Sequence, residues 1–136
     1  MNGKLRALGG RVNLKYSLVC GRLAVCRLPP ESLSPALDST GPFLCLTRTS
    51  DELSIVCMEE HVAEGAKAET GWVCFKLHGP FPFNQTGVLA GFINPLAEYR
   101  IPIFAISTFD TDYVLVKEEF LGMAMQALAA AGHELQ

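Results

Sequence analysis

Residues 107–112, Ser-Thr-Phe-Asp-Thr-Asp, put three hydroxyls and two carboxylates into one short run around Phe109. Carboxylates so spaced can receive an ammonium or guanidinium through charge-assisted hydrogen bonds. They can also bond their own backbone and merely shape a bend. If the chain is extended here, Asp110 and Asp112 face one way and share a negative pocket, with Phe109 opposite. A tight bend would undo that. A second candidate lies upstream at Thr86–Gly87, where a glycine precedes an apolar helical pattern. The start of a helix offers unpaired N–H groups and a favourable dipole to an anion. Gly87 has no side chain to keep a ligand away, although it can equally be no more than the residue that begins the helix. Together the two stretches suit a free amino acid, whose carboxylate and ammonium need opposite partners.

The elements that must position these groups show an internal repeat. Residues 43–60 read as a β-hairpin with a polar bend at Thr49–Glu52, and residues 103–119 have the same pattern. Shifted by 59 residues, Thr49 falls on Thr108, Asp51 on Asp110, Glu59 on Glu118 and Glu60 on Glu119. A strand-like run precedes each hairpin, at 21–29 and at 71–79, so both halves read strand, connection, hairpin. Such self-similarity predicts a pseudo-symmetric pair of small units.

The connections differ. Residues 30–42 leave room for only a short turn of helix. In the second half Val88, Leu89, Phe92, Ile93 and Leu96 form an apolar helical stripe. Pro95 lies inside it, removes a backbone donor and crowds the carbonyl of Gly91, which predicts a kink. After the second hairpin Phe120, Leu121, Ala124, Leu128 and Ala131 make another stripe. Glu118 and Glu119 suit its first turn, and Gly132 is its stop signal. The Met123–Met125 pair reads as helix core or interface. The second half is therefore β-α-β-β-α. A ferredoxin-like unit needs one more strand, and the run at 12–20 is its predicted donor, from this chain or from a second subunit.

The chain has 136 residues, 49% of them apolar and 18% charged, which is enough to bury a core. Net charge is −3, with Lys and Arg scattered, which argues against a nucleic-acid or anionic-membrane surface. No apolar run reaches the roughly 20 residues of a membrane span, and the start has no apolar segment of the signal-peptide kind. The expected location is cytoplasmic. Cys20, Cys26, Cys45, Cys57 and Cys74 lie in apolar, strand-like runs and read as small buried thiols in a reducing compartment. His61, His78 and His133 have no ligand spacing relative to them, so neither a metal nor a cofactor is expected. A Cys74–His78 pair stays open, with His78 as a plain strand-end residue the alternative. Phe81 and Phe83 read as packing, with pocket lining as the rival. There is no nucleophile elbow, P-loop or Rossmann glycine pattern, and no enzyme activity is expected.

The segments AVCRLPP (24–30), GW (71–72), FNQTGVLAGFINPLAEYRIPIFAISTFDTDYVLVKEE (83–119) and ALAAAGH (127–133) carry a resemblance. Together they resemble short bacterial tandem ACT-domain proteins, and the unit is similar to that repeated in animal cytosolic arginine sensors. The likeness runs over about residues 18–134 and leaves out 1–12. It implies an α+β fold: two ACT-like, ferredoxin-like units, 12–66 and 67–136, with antiparallel sheets and helices on one face. It implies a non-enzymatic regulatory module that binds an amino acid, and a homodimer. Carried over by motif, the ligand-binding residues are Thr86, Gly87, Val88, Thr108, Phe109, Thr111 and Asp112, beside Asp110 from the charge argument. The last of the motif set matches an Asp that meets the ligand's cationic side chain in the sensors. The alternative is an ACT-fold structural or protein-interaction module without a ligand.

Overall fold

A computed structural model describes residues 13–33 and 41–136. The chain divides into two compact units. One joins the residues up to Leu18 to Cys74–Gln136, and the other is Val19–Val73. The divisions fall at 18/19 and 73/74. The reason is one long strand, β5 (Lys67–Leu77), which gives its first half to the Val19–Val73 unit and its second half to the other.

In the Val19–Val73 unit, β2 (Leu23–Leu28) pairs antiparallel with β4 (Leu53–Met58), and β3 (Cys45–Arg48) pairs antiparallel with β4. The first half of β5 lies antiparallel on the far side of β2, giving the order β3-β4-β2-β5. Alternation along these strands puts Ala24, Cys26, Leu53, Ile55 and Cys57 into one core cluster. Most of the connection expected to hold a short helical turn, 34–40, lies outside the described residues.

The second unit starts with β1 (Lys15–Leu18), which pairs antiparallel with the second half of β5, Tyr16 opposite Leu77. The strand predicted within 12–20 is thus real and supplied by this chain. α1 (Val88–Glu98), β6 (Phe104–Ser107), β7 (Asp112–Lys117) and α2 (Leu121–Ala130) follow. β7 pairs with β6 and β5, and the order β6-β7-β5-β1 matches the β3-β4-β2-β5 of the other unit. The chain then adds a strand that was not expected, β8 (Glu134–Leu135), parallel to β1.

The repeat holds to the residue. Shifted by 59, β3 falls on β6, β4 on β7, and the 3-10 turn at Glu59–His61 on that at Glu118–Phe120. The helices cover one face of the second unit. Val88, Phe92 and Leu96 of α1 are buried, as are Ala124, Ala127 and Leu128 of α2. Phe92 meets Tyr16 and Phe75 edge-on, with ring centroids 5.3 and 6.0 Å away. Among the described residues no helix is long and apolar enough to cross a membrane.

Candidate functional site

β6 and β7 are joined by a four-residue bend, 108–111. The Thr108 N–H donates to the carbonyl of Thr111 at 2.8 Å, and the Thr108 hydroxyl donates to the same oxygen at 3.0 Å. Thr49 closes the bend of the other unit in a related way: its N–H reaches the Glu52 carbonyl at 2.9 Å, and its hydroxyl accepts from the amides of Asp51 and Glu52. This is the local reason for a threonine at both places.

The remaining hydroxyls of 107–112 are also spent. Thr111 is 6% exposed, and its Oγ1 donates to the Leu77 carbonyl at 2.7 Å, tying the bend to the end of β5. Ser107 Oγ donates to Asp112 Oδ1 at 2.5 Å. The Asp110 carbonyl accepts the Phe81 N–H at 2.9 Å. Gly79 permits that approach, because a Cβ there would lie 2.7 Å from the Asp110 oxygen.

The carboxylates are the groups left over. In the Val19–Val73 unit, Glu52 at the bend has Arg27 at 4.0 Å, and Arg27 also donates to the Asp51 carbonyl. Among the described residues, neither Asp110 nor Asp112 has a cationic partner. Phe109 is 78% exposed and meets Phe83, 76% exposed, edge to face with centroids 4.8 Å apart. Phe83 is therefore surface, not packing.

The start of α1 faces this bend. Gly87 stands just before the helix with φ +80, a conformation that favours glycine, and no side chain caps the turn. Gly91 N–H closes the first turn on the Gly87 carbonyl at 2.9 Å, so the amides of Val88, Leu89 and Ala90 have no intrahelical acceptor. A hollow of about 340 Å³ lies between, lined by 81–83, 85, 87–90 and 107–112. The structure thus brings Gly87, Val88, Thr108, Phe109, Asp110, Thr111 and Asp112 to one pocket; Thr86 is exposed and outside its lining. Pro82, Gln85, Leu89 and Ala90 were missed. The alanine and leucine follow from the helical stripe, since they flank its buried positions. Pro82 and Gln85 lie in a loop with no periodic signal. A second hollow of about 310 Å³, lined by Ser17, Lys76, His78, Gly79, Pro80, Asp110 and Thr111, shares two residues of the bend.

The thiols stand elsewhere. Cys74 is fully buried and burial pushes its thiol up to about 12, while His78 is exposed and meets Ser17 Oγ at 3.1 Å; the two do not form a pair. Burial likewise pushes Cys57 up to about 11 and raises Cys26. Cys20 is exposed and Cys45 half-exposed, contrary to the expectation that all five are buried. Among the described residues no group of three His, Cys, Asp or Glu side chains could hold a metal ion.

Residues 67–130 match the ACT domain, and residues 21–65 match a family described as an N-terminal domain. The cytosolic arginine sensor for mTORC1 subunit 1 of Bos taurus is 28% identical over 98 residues, and that of Homo sapiens 29%. The match takes in 64% of this chain but only 30% of those sensors, so the chain spans under a third of their length. A protein of Agrobacterium tumefaciens of solved structure is 40% identical, with a TM-score of 0.84, over 91% of this chain and 92% of that one. The regulatory subunit of aspartate kinase from Thermus thermophilus shares the fold, at a TM-score of 0.61 and 11% identity, over 85% of this chain and 95% of that one.

Proposed function

This chain belongs to the ACT-domain family, and from that premise we propose that it is a non-enzymatic regulatory module that binds a free amino acid in the pocket between α1 and the 108–111 bend. The observation that carries the reading is the pair of carboxylates, Asp110 and Asp112, left without a cation among the described residues at the mouth of a hollow whose opposite wall is an uncapped helix start. The amides of Val88 and Leu89, behind Gly87, would receive the ligand carboxylate. Asp110 and Asp112 would receive its ammonium or a cationic side chain, and Phe109 with Phe83 would lie over its carbons. Thr108 and Thr111 would shape the bend, with Thr86 contributing backbone only. The arginine sensors among the relatives and the regulatory subunit that shares the fold support a ligand-reporting role, as does the sensors' cytosolic location for a cytoplasmic one. A homodimer would cover the outer edges of the sheet strands; light scattering reporting a monomer at tens of micromolar counts against it.

The test is a thermal-shift screen with the twenty amino acids. A ligand at 100 times its Kd adds about 2.7 kcal/mol to stability, which shifts the melting temperature by several degrees in a chain of this size. A shift with one or a few amino acids supports the proposal. No shift at millimolar concentration favours the second reading, an interaction module without a ligand, for which the exposed Phe83–Phe109 pair would be the contact.

A further inference from the structure

Pro95 sits inside α1 and carries no N–H. In a helix that N–H would serve the carbonyl four residues back, that of Gly91. The Gly91 carbonyl is met from outside instead: His133 Nε2 lies 2.9 Å from it. His133 is 5% exposed, and its ring packs 5.5 Å from that of Phe92. The other ring nitrogen, Nδ1, accepts the Leu14 N–H at 3.1 Å. A backbone N–H can only donate, so Nδ1 carries no proton and Nε2 carries one. These two contacts together require the neutral Nε2–H tautomer.

The chain delivers the ring there by the way α2 ends. Gly132 has φ +93 and donates to the Ala129 carbonyl, and His133 N–H donates to that of Leu128, the paired closure of a Schellman turn. A side chain at 132 would also meet Asn13 Oδ1 at 2.7 Å. Beyond the ring, Glu134 and Gln136 donate to the carbonyls of Leu14 and Tyr16, each at 2.8 Å.

We infer that His133 is a positioning residue: it supplies the donor that Pro95 removes from α1, and by doing so ties the first turn of that helix to the lead-in of β1 and to the 133–136 end. Gly91 N–H closes the turn whose residues 87–90 wall the pocket. The seating of Leu14 and of residues 133–136 and the shape of the pocket wall are therefore one linked equilibrium, in which whatever tightens one tightens the other. This holds whether or not the pocket takes an amino acid.

The test uses substitutions that keep one ring function at a time. In His133→Asn the amide oxygen stands near Nδ1 and can still accept from Leu14, while the donor to Gly91 is lost. In His133→Gln the longer amide reaches Gly91 and the acceptor for Leu14 is lost. Each is made with Pro95 and with Pro95→Ala, where the alanine brings its own N–H to the Gly91 carbonyl. The effect of residue 95 on the unfolded chain is the same in each pair and cancels in the cycle. Urea melts are expected to show His133→Asn raising the unfolding constant about tenfold or more with Pro95, and Pro95→Ala recovering about fivefold of that. The His133→Gln loss is expected to be the same in both backgrounds. Equal losses for His133→Asn in both backgrounds, or equal recovery of both variants, overturn the inference. If His133→Asn does not fold with Pro95, a cooperative melt regained in the Pro95→Ala background counts as the rescue, and its absence overturns it. Amide exchange supplies the local readout: His133→Asn should speed exchange at Gly91 and Gln136 while leaving the β6–β7 hairpin unchanged. Nitrogen NMR of the native protein at neutral pH should show the Nε2–H tautomer of His133; the Nδ1–H tautomer or an imidazolium refutes the arrangement.

Discussion

Replacing Asp112 with asparagine separates a ligand carboxylate from a turn carboxylate on one side chain. Asp112 is half-buried and accepts the Ser107 hydroxyl at 2.5 Å, which occupies Oδ1 and leaves Oδ2 to the pocket. A cation about 4 Å away attracts a carboxylate by roughly 4 kcal/mol at the effective dielectric of such a site. Desolvation of both partners reduces this, and hydrogen bonds to charged groups are worth about 1.5–3 kcal/mol net. Removing the charge should therefore weaken binding by about tenfold to somewhat over a hundredfold. The amide oxygen of the introduced asparagine can still accept from Ser107, so the bend loses only charge assistance, about 0.5–1 kcal/mol. Relief of repulsion from Asp110 offsets part of that. The urea midpoint without ligand should then move by no more than about 0.5 M. Calorimetry with the amino acid that gives the largest thermal shift reads the first quantity, and a urea melt without ligand reads the second. Unchanged affinity with a clearly lower midpoint would refute the reasoning, because Asp112 would then be holding the bend and nothing else.

Three further outcomes are expected. Thr111→Val keeps the shape but leaves the Leu77 carbonyl without its donor, and should cost about 1–3 kcal/mol in a urea melt. Arg100 stands in the left-handed region at φ 58 and closes α1, its N–H on the Ala97 carbonyl and that of Ile101 on the Leu96 carbonyl. Arg100→Gly should raise stability by about 0.5–1 kcal/mol, the relief of strain less the entropy of a glycine. For the thiols, alkylation at pH 8 followed by mass spectrometry should modify Cys20 first and Cys45 more slowly, and spare Cys26, Cys57 and Cys74 until denaturant is added. Because Cys57 and Cys74 keep their protons to about 11 and about 12 when folded, against 9.0 for an ordinary thiol, the unfolded chain loses those protons first. Stability should be full below pH 9 and fall as pH rises from there through the folded values; a flat profile over pH 9–11 contradicts the burial of those thiols.

Both hairpins, their bends and the two helices were legible because each carries a local signal: alternation, a 3.6-residue stripe, a polar bend, a glycine stop. The 59-residue shift was visible in four identities, and it aligns the strands of both hairpins. Pro95 was equally legible as a helix that gives up a donor. What filled the place was not, since His133 reaches Gly91 across 42 residues of chain. The excess of hydroxyls in 107–112 was visible too, but their partners were not. Thr111 spends its hydroxyl on Leu77, a pairing 34 residues apart that has no local signature. For Phe83 packing and pocket lining both stood open, and the structure has it exposed in the lining of the hollow, because an aromatic beside prolines looks the same in sequence whether it faces a core or solvent.

By itself, then, the sequence determined which segments become strands and helices and that they repeat, because backbone propensity and apolar patterning act over a few residues. Only the tertiary structure showed that Lys67–Leu77 is one continuous strand, β5. It set the register of β1, Tyr16 opposite Leu77, and it alone added β8 beside β1, because strand pairing joins residues that are distant along the chain. It also decided which polar groups remained without a partner among the described residues. Ser107, Thr108 and Thr111 were drawn off by neighbours brought near through folding, and the carboxylate of Asp110, the second oxygen of Asp112 and the amides at the start of α1 were left facing one hollow.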